Sequence, residues 1–182
     1  FMRNVAKLDC KTYVLHIGHK PADGINKEQS MDQVRRALDA LAPVAQSLNM
    51  ALALENGMEK YGYLVTDREL LSLVADYAHP AVGICYDSGH AHITGNAAAT
   101  LHLLSPYVVT VHLHDNDGVD DQHLIPGQGT LDWPPVVKEL AACPKLIHME
   151  TEAANCAGWP HSQGVWSYRD VYARYCEIFC QA

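Results

Sequence analysis

The chain of 182 residues has the length of one domain, and its apolar stretches, broken by His, Asp or Glu, fall short of the about 18 residues that span a bilayer, which excludes a membrane protein. With 13 Lys+Arg against 21 Asp+Glu the net charge is -8, so the molecule repels a phosphate backbone and nucleic acid is not expected as a partner. Against a charged fraction of only 19%, 11 histidines are the first sign of chemistry.

The opening residues Phe1-Met2-Arg3-Asn4 hold no apolar leader core and read as the end of a helix. The run 12–17 is apolar, rich in β-formers and too short for a helix, so it reads as a strand. Val34, Ala37, Leu38, Leu41, Val44, Ala45 and Leu48 then recur at helical spacing, with Pro43 predicted to kink or split that helix. A second strand is read over 50–54. Thr66-Asp67-Arg68-Glu69 is a capping-box pattern that opens a helix to about residue 78. A strand over 81–86, a helix over 96–104 ending before Pro106, and a strand over 107–113 follow. A helix starts at Asp132 with Pro134 in its first turn, and a strand over 145–149 and a helix over 167–180 complete the chain. Alternation of strand and helix calls for parallel strands joined by right-handed crossovers, an α/β fold. No Gly-rich phosphate fingerprint follows the first strand. Cys10, Cys85, Cys143, Cys156, Cys176 and Cys180 form no CxxC pair, and several lie in apolar runs, which reads as reduced thiols in a cytoplasmic protein.

Each strand runs into an ionisable residue at its carboxyl end: His16 (with His19), Glu55, Asp87 (with His90), His114 (with His112) and Glu150. In α/β barrels and open α/β sheets the loops that follow the strands converge at that edge, and sites are built there. Two Glu, an Asp and a His form a mixed oxygen and nitrogen donor set suited to Mn, Mg, Co or Zn. Asp121 and His123, on alternate positions of a polar loop, are candidates with His90 for a second metal. His112 and His148 share strand faces with His114 and Glu150 and read as core histidines. Pro126-Gly127-Gln128-Gly129 reads as a turn whose N–H groups either face an anion or simply reverse the chain. Trp159, Trp166 and Tyr168 either cover a sugar's apolar face or cap the fold.

The strings LALEN (52–56), YDSGHAHITG (86–95), VHLHDNDGVDDQHLIPGQGTLDW (111–133) and HMETE (148–152) together resemble the xylose isomerase-like TIM-barrel superfamily, which contains sugar and sugar-phosphate isomerases and epimerases and the endonuclease IV abasic-site nucleases. The resemblance implies a (β/α)8 TIM barrel. Such a barrel needs ~250 residues, so the chain is expected to be a single domain, 1–182, holding about the last five βα units, with three N-terminal units absent. It implies metal ligands at Glu55, Asp87, His114 (His112 as the fallback) and Glu150. It makes Glu55 and Glu150 the acid/base pair of a divalent-metal-dependent sugar or sugar-phosphate isomerase or epimerase working through an enediolate. His90, His16 and Trp159 are then substrate-binding residues. Two positions depart from the epimerase pattern: Tyr61 stands where a substrate-binding Glu is expected, and the loop after His114 is acidic (Asp115, Asp117, Asp120, Asp121) where a basic residue is expected. The alternatives are an endonuclease IV-like zinc phosphodiesterase and a non-catalytic sugar- or metal-binding barrel. The expected partner is a small sugar or sugar phosphate, and homo-oligomerisation is left open.

Overall fold

Every apolar run read as a strand overlaps one, the last only partly, since 145–149 was expected and the fifth strand is His148–Thr151. In the computed structural model, which describes residues 1–17, 26–58, 65–153 and 168–181, a short helix α1 (Met2–Val5) leads to β1 (Thr12–His16), α2 (Lys27–Ser47), β2 (Ala51–Glu55), α3 (Asp67–Tyr77) and β3 (Val82–Asp87). Helices α4 (Ser88–Thr94) and α5 (Ala97–Leu104), β4 (Val108–Leu113), α6 (Trp133–Ala141), β5 (His148–Thr151) and α7 (Tyr168–Gln181) follow. The strands make one sheet in the order β1-β2-β3-β4-β5, with every pair parallel. The sheet curls into part of a barrel. Thr12 and His148, on strands at opposite ends of the sheet order, come within 3.2 Å of each other through their side chains, which a flat sheet would not allow.

Side chains alternate between the two faces. Leu52, Leu54, Ile84, Tyr86, Val111 and Leu113 form the outer face and are buried under Leu38, Ala42 and Ala45 of α2, Leu70 and Val74 of α3, Leu101 and Leu104 of α5, and Val136 and Leu140 of α6. Full burial of each large aliphatic side chain contributes roughly 1.5–3 kcal/mol before conformational entropy is counted. The inner face is smaller and less apolar, with Ala53, Cys85 and Val109 packed beside Val14 and Ala51. A register shift between Ile84 and Cys85 pairs Ile84 with Val108 but Cys85 with Thr110, which sets how far β4 advances relative to β3.

Local signals hold where they were specific. Glu69 N–H donates to Thr66 Oγ1 at 3.3 Å and Thr66 N–H to Glu69 Oε2 at 2.8 Å, the capping box read from the sequence. The expected split at Pro43 does not occur. Lys27–Ser47 is one helix through Pro43, because the proline lies in its last third and Ala42 and Ala45, both 0% exposed, hold that stretch on the sheet. Helix α4 was not read from the sequence; the Asp87 side chain caps it, accepting from His90 N–H at 2.7 Å. Among the described residues Cys10, Cys85, Cys143, Cys176 and Cys180 are free thiols, and no helix is long and apolar enough to cross a membrane.

Candidate metal centre

Parallel strands end at one edge, so the last residues of β1, β2, β3 and β4 meet there. The register aligns His16 with Glu55 and Cys85, and Asp87 with His112 and Glu150. Glu55 is 2% exposed; its carboxylate lies 2.9 Å from His16 Nε2, 3.5 Å from His90 Nδ1 and 3.6 Å from His112 Nδ1. Burial works to raise its pKa, but the imidazoles of His112 and His16 outweigh burial, and the carboxyl titrates below its ordinary value. Asp87 is fully buried, and His114 Nε2 lies 3.1 Å from both of its oxygens. Burial opposes its ionisation too, yet the charges of His114 and His90 hold it down at about 2. His90 is driven the other way: burial would lower it, but Asp87 and Asp121 raise it to about 10.

Backbone clamps fix these side chains. Asn56, directly after β2, accepts from Asp87 N–H at 2.7 Å and donates Nδ2–H to Asp87 O at 3.2 Å, while its own carbonyl faces His90 Nδ1 at 2.8 Å. Ser88 donates to His114 O at 2.8 Å and accepts from His114 N–H at 3.0 Å. Both residues extend the ladder beyond the strand ends, where hydrogen-bonded pairing would otherwise stop. His114 also needs a neighbour without a side chain. A Cβ at Gly89 would stand 2.6 Å from His114 Nδ1 and 2.7 Å from Nε2.

The loop after β4 brings a second group. Asp121 approaches His123 Nε2 at 3.2 Å, His90 Nε2 at 3.5 Å and His114 Nε2 at 3.8 Å. Imidazoles 114 and 123 stack with centroids 4.1 Å apart and planes 2° from parallel. Burial lowers the His123 pKa and Asp121 raises it, with the balance at about 9. Glu55, Asp87, His90, His112, His114, Asp121 and His123 therefore share one centre. Glu150 stands apart from it: its side chain is 45% exposed and is bonded to His148. Glu152, two residues on, instead reaches His112 at 3.1 Å.

The sequence of residues 2–167 matches the family described as Xylose isomerase-like TIM barrel. The chain belongs to this family. The uncharacterized protein MJ1311 of Methanocaldococcus jannaschii is 32% identical over 139 residues, 74% of this chain and 47% of that protein. A second uncharacterized protein of that organism, MJ1614, is 25% identical over 77% of this chain and 55% of its own length. The chain thus spans about half the length of these curated relatives. Among solved structures, a D-tagatose 3-epimerase-like protein superposes with a TM-score of 0.78 at 25% identity, covering 99% of this chain and 67% of that one. The IolI protein with a binding zinc atom superposes with a TM-score of 0.78 at 17% identity, covering 99% and 66%. The five-stranded sheet is accordingly part of a TIM barrel, and its candidate centre lies at the carboxyl edge of the barrel strands.

Family membership makes a metal the obvious test of the donor set. Buried His114 Nδ1 has no hydrogen-bond partner, and Glu55 Oε2 and His112 Nδ1 have no well-directed one. Donor atoms of Glu55, Asp87 and His90 lie within 4.8 Å of one another, as do those of Asp87, His112 and Glu152, of Glu55, Cys85 and His112, and of His114, His123 and Glu152. An orphaned buried imidazole nitrogen beside buried carboxylates fits a divalent cation. Burial pushes the Cys85 thiol well up, so among these donors it is the poorest ligand.

His16 sits at the edge of the centre, with its side chain 59% exposed. His112, read from its strand face as a core histidine and from the resemblance as the fallback ligand, is a member of the centre. Glu152 was missed as a candidate, although its alternate spacing from Glu150 places it on the same strand face. The Pro126–Gly129 turn faces no external anion through Gly127, whose N–H donates to Asp115. His19, Tyr61, Trp159 and Trp166 lie outside the described residues.

Proposed function

We propose that the protein is a divalent-metal-dependent isomerase or epimerase of a sugar or sugar phosphate. The observation that carries this reading is the buried carboxylate pair, Glu55 and Asp87, ringed by His16, His90, His112 and His114 at the carboxyl edge of a TIM-barrel sheet. The D-tagatose 3-epimerase-like structure supports the chemistry, and the zinc atom of IolI supports the cofactor.

In this reading Glu55, Asp87 and His114 or His112 hold the cation, with Glu152 in reach of His112 where Glu150 was expected, and Mn, Mg, Co and Zn all suit the donors. When bound, the metal supplies Lewis-acid polarisation of a carbonyl and its neighbouring hydroxyl. Glu55 takes a carbon-bound proton from the substrate. It is suited to this because His112 and His16 keep a buried carboxylate ionised. Glu150, in register with His112, would be the second acid/base that returns the proton, which requires its side chain to leave His148. His90 and His16 hydrogen-bond substrate hydroxyls, and Trp159, outside the described residues, is the further substrate-binding residue that the family resemblance implies. A reduced intracellular setting agrees with the free thiols.

Incubation with ketohexoses, ketopentoses and their phosphates in deuterated water, with each metal in turn, tests the reading. Wash-in of deuterium at a substrate carbon is expected, with a loss of roughly 10²–10⁴-fold in Glu55→Gln. Full exchange by Glu55→Gln would refute the mechanism. The Asp121, His123 and His90 cluster favours one second reading, a zinc phosphodiesterase that holds further zinc there. Three bound zinc ions together with cleavage of abasic-site DNA would establish it, whereas one Mn, Mg or Co ion supports the isomerase. A molecule of net charge -8 is poorly suited to duplex DNA.

A further inference from the structure

The segment between β4 and α6 is built around a single carboxylate. Asp115, two residues beyond β4, is 0% exposed and accepts four N–H groups: Asn116 N–H at 2.9 Å and Leu131 N–H at 3.1 Å on Oδ1, and Gly127 N–H at 2.7 Å and the Trp133 indole N–H at 3.0 Å on Oδ2. Its main chain is also paired in both directions with Leu124, at 2.7 and 2.8 Å. Four convergent N–H donors away from water constitute an anion site. Here the chain supplies its own anion, so this cluster is filled from within.

The surroundings are shaped to that carboxylate. A Cβ at Gly129 would collide with Asp115 Oδ1 and come within 2.7 Å of the Asn116 carbonyl carbon. Gly127 holds φ 84, and a Cβ there would press on the guanidinium of Arg174, whose Nε donates to Pro126 O at 2.9 Å. Contacts from sequence positions as far apart as 116 and 133 thus terminate on one side chain.

What this anchor supports is the stretch between Asp115 and Leu124, which carries Asp121 and His123. His123 has φ 51, a left-handed conformation that costs a non-glycine residue roughly 1–2 kcal/mol. Such strain persists only where the surroundings over-determine it. The residue after His123 is Leu124, both of whose backbone groups are tied to Asp115. On the other side, His123 Nδ1 faces Glu152 O at 2.9 Å and its ring stacks on His114.

We propose that Asp115 is the positioning residue of the second half of the centre: by gathering the loop onto its carboxylate it sets Asp121 and His123 against His90 and His114. The proposal rests on reading Asp121 and His123, with His90, as ligands of a further cation beside the one at Glu55 and Asp87, whichever reaction the centre performs. Outer partners of metal ligands typically govern affinity by 10–100-fold.

Titration of the full chain with Co²⁺, followed by visible absorption, tests it in the parent, Asp121→Ala, Asp115→Asn and Trp133→Phe proteins. Asp121→Ala is expected to remove one part of the parent's Co²⁺ response, leaving the Glu55 and Asp87 part. Asp115→Asn is expected to weaken that same part by about 10–100-fold, with altered band positions. Trp133→Phe, which removes one donor and retains an aromatic ring, is expected to weaken it several-fold while the protein still melts cooperatively, so the test survives if Asp115→Asn does not fold. A general loosening would weaken both parts together, and that result would overturn the proposal. So would a Trp133→Phe or folded Asp115→Asn titration that coincides with the parent's. A parent response unchanged by Asp121→Ala would instead refute the ligand reading itself, and the proposal with it.

Discussion

Replacing Gly89 with Ala sets two physical effects against each other. Gly89 lies inside α4, where helix propensity alone favours Ala by about 1 kcal/mol. The new Cβ would stand 2.6 Å from His114 Nδ1 and 2.7 Å from Nε2, far inside van der Waals contact. His114 cannot move away cheaply. Its ring is fully buried, stacks on His123 at 4.1 Å, and keeps Nε2 at 3.1 Å from both Asp87 oxygens. Overpacking of this kind costs about 1–3 kcal/mol, and giving up a hydrogen bond to a charged group costs about 1.5–3 kcal/mol more. After the propensity gain, a net destabilisation of about 1.5–5 kcal/mol is expected, or roughly 3–20 °C in Tm for a chain of this size. Urea unfolding followed by far-ultraviolet circular dichroism measures it. The double variant Gly89→Ala/His114→Ala should recover about 1–3 kcal/mol relative to the sum of the single variants, because the clash disappears with the ring. Equal or greater stability of Gly89→Ala, or strict additivity in the double variant, would refute the reasoning.

Other consequences are simpler to read. Tyr86→Phe removes the hydroxyl that donates to Ala97 O at 2.9 Å in a fully buried setting and leaves that carbonyl without its donor, so urea unfolding should show a loss of about 1–2 kcal/mol; no loss would mean the contact contributes nothing net. The ion pair with Lys27 and the N–H of Thr66 lower the Glu69 carboxyl from 4.5 to about 2. A carboxyl depressed in the folded state stabilises above its unfolded pKa, and that stability fades as pH falls from about 4.5 towards 2. Because Glu69 is exposed, solvent screening limits the effect to about 0.5 kcal/mol, and Glu69→Gln should flatten the acid limb of the Tm–pH curve slightly. Identical acid limbs in parent and variant would show that the pair is fully screened.

Much of the architecture was legible because its signals are local. Short apolar runs rich in β-formers and helical spacing located the strands and most helices, and the capping box at Thr66 and Glu69 formed as its residue types dictate. Parallel pairing then placed the carboxyl ends of the strands together, which is why His16, Glu55 and Asp87 could be picked out before any geometry was known. Helix α4 escaped because it is one short element nucleated by a single Asp87 cap, a signal too small to separate from a turn. Of the kink or split expected at Pro43 the split does not occur, because burial of Ala42 and Ala45 outweighs one missing backbone donor.

The sequence by itself determined which residue types stand at the ends of which strands, since period-two alternation and strand length are properties of a few neighbouring residues. Tertiary structure alone decided how residues on the same strand face are used. His112 and His114 share a face and both enter the centre, whereas of Glu150 and Glu152 only Glu152 reaches it, and this depends on the relative advance of neighbouring strands. That advance depends on the register shift between Ile84 and Cys85 and on the curl that brings Thr12 to His148, neither of which any short stretch of sequence encodes. The same holds for Asp115. Its neighbours in sequence mark it as one acid among several in a polar loop, and only the folded loop collects four N–H donors around it.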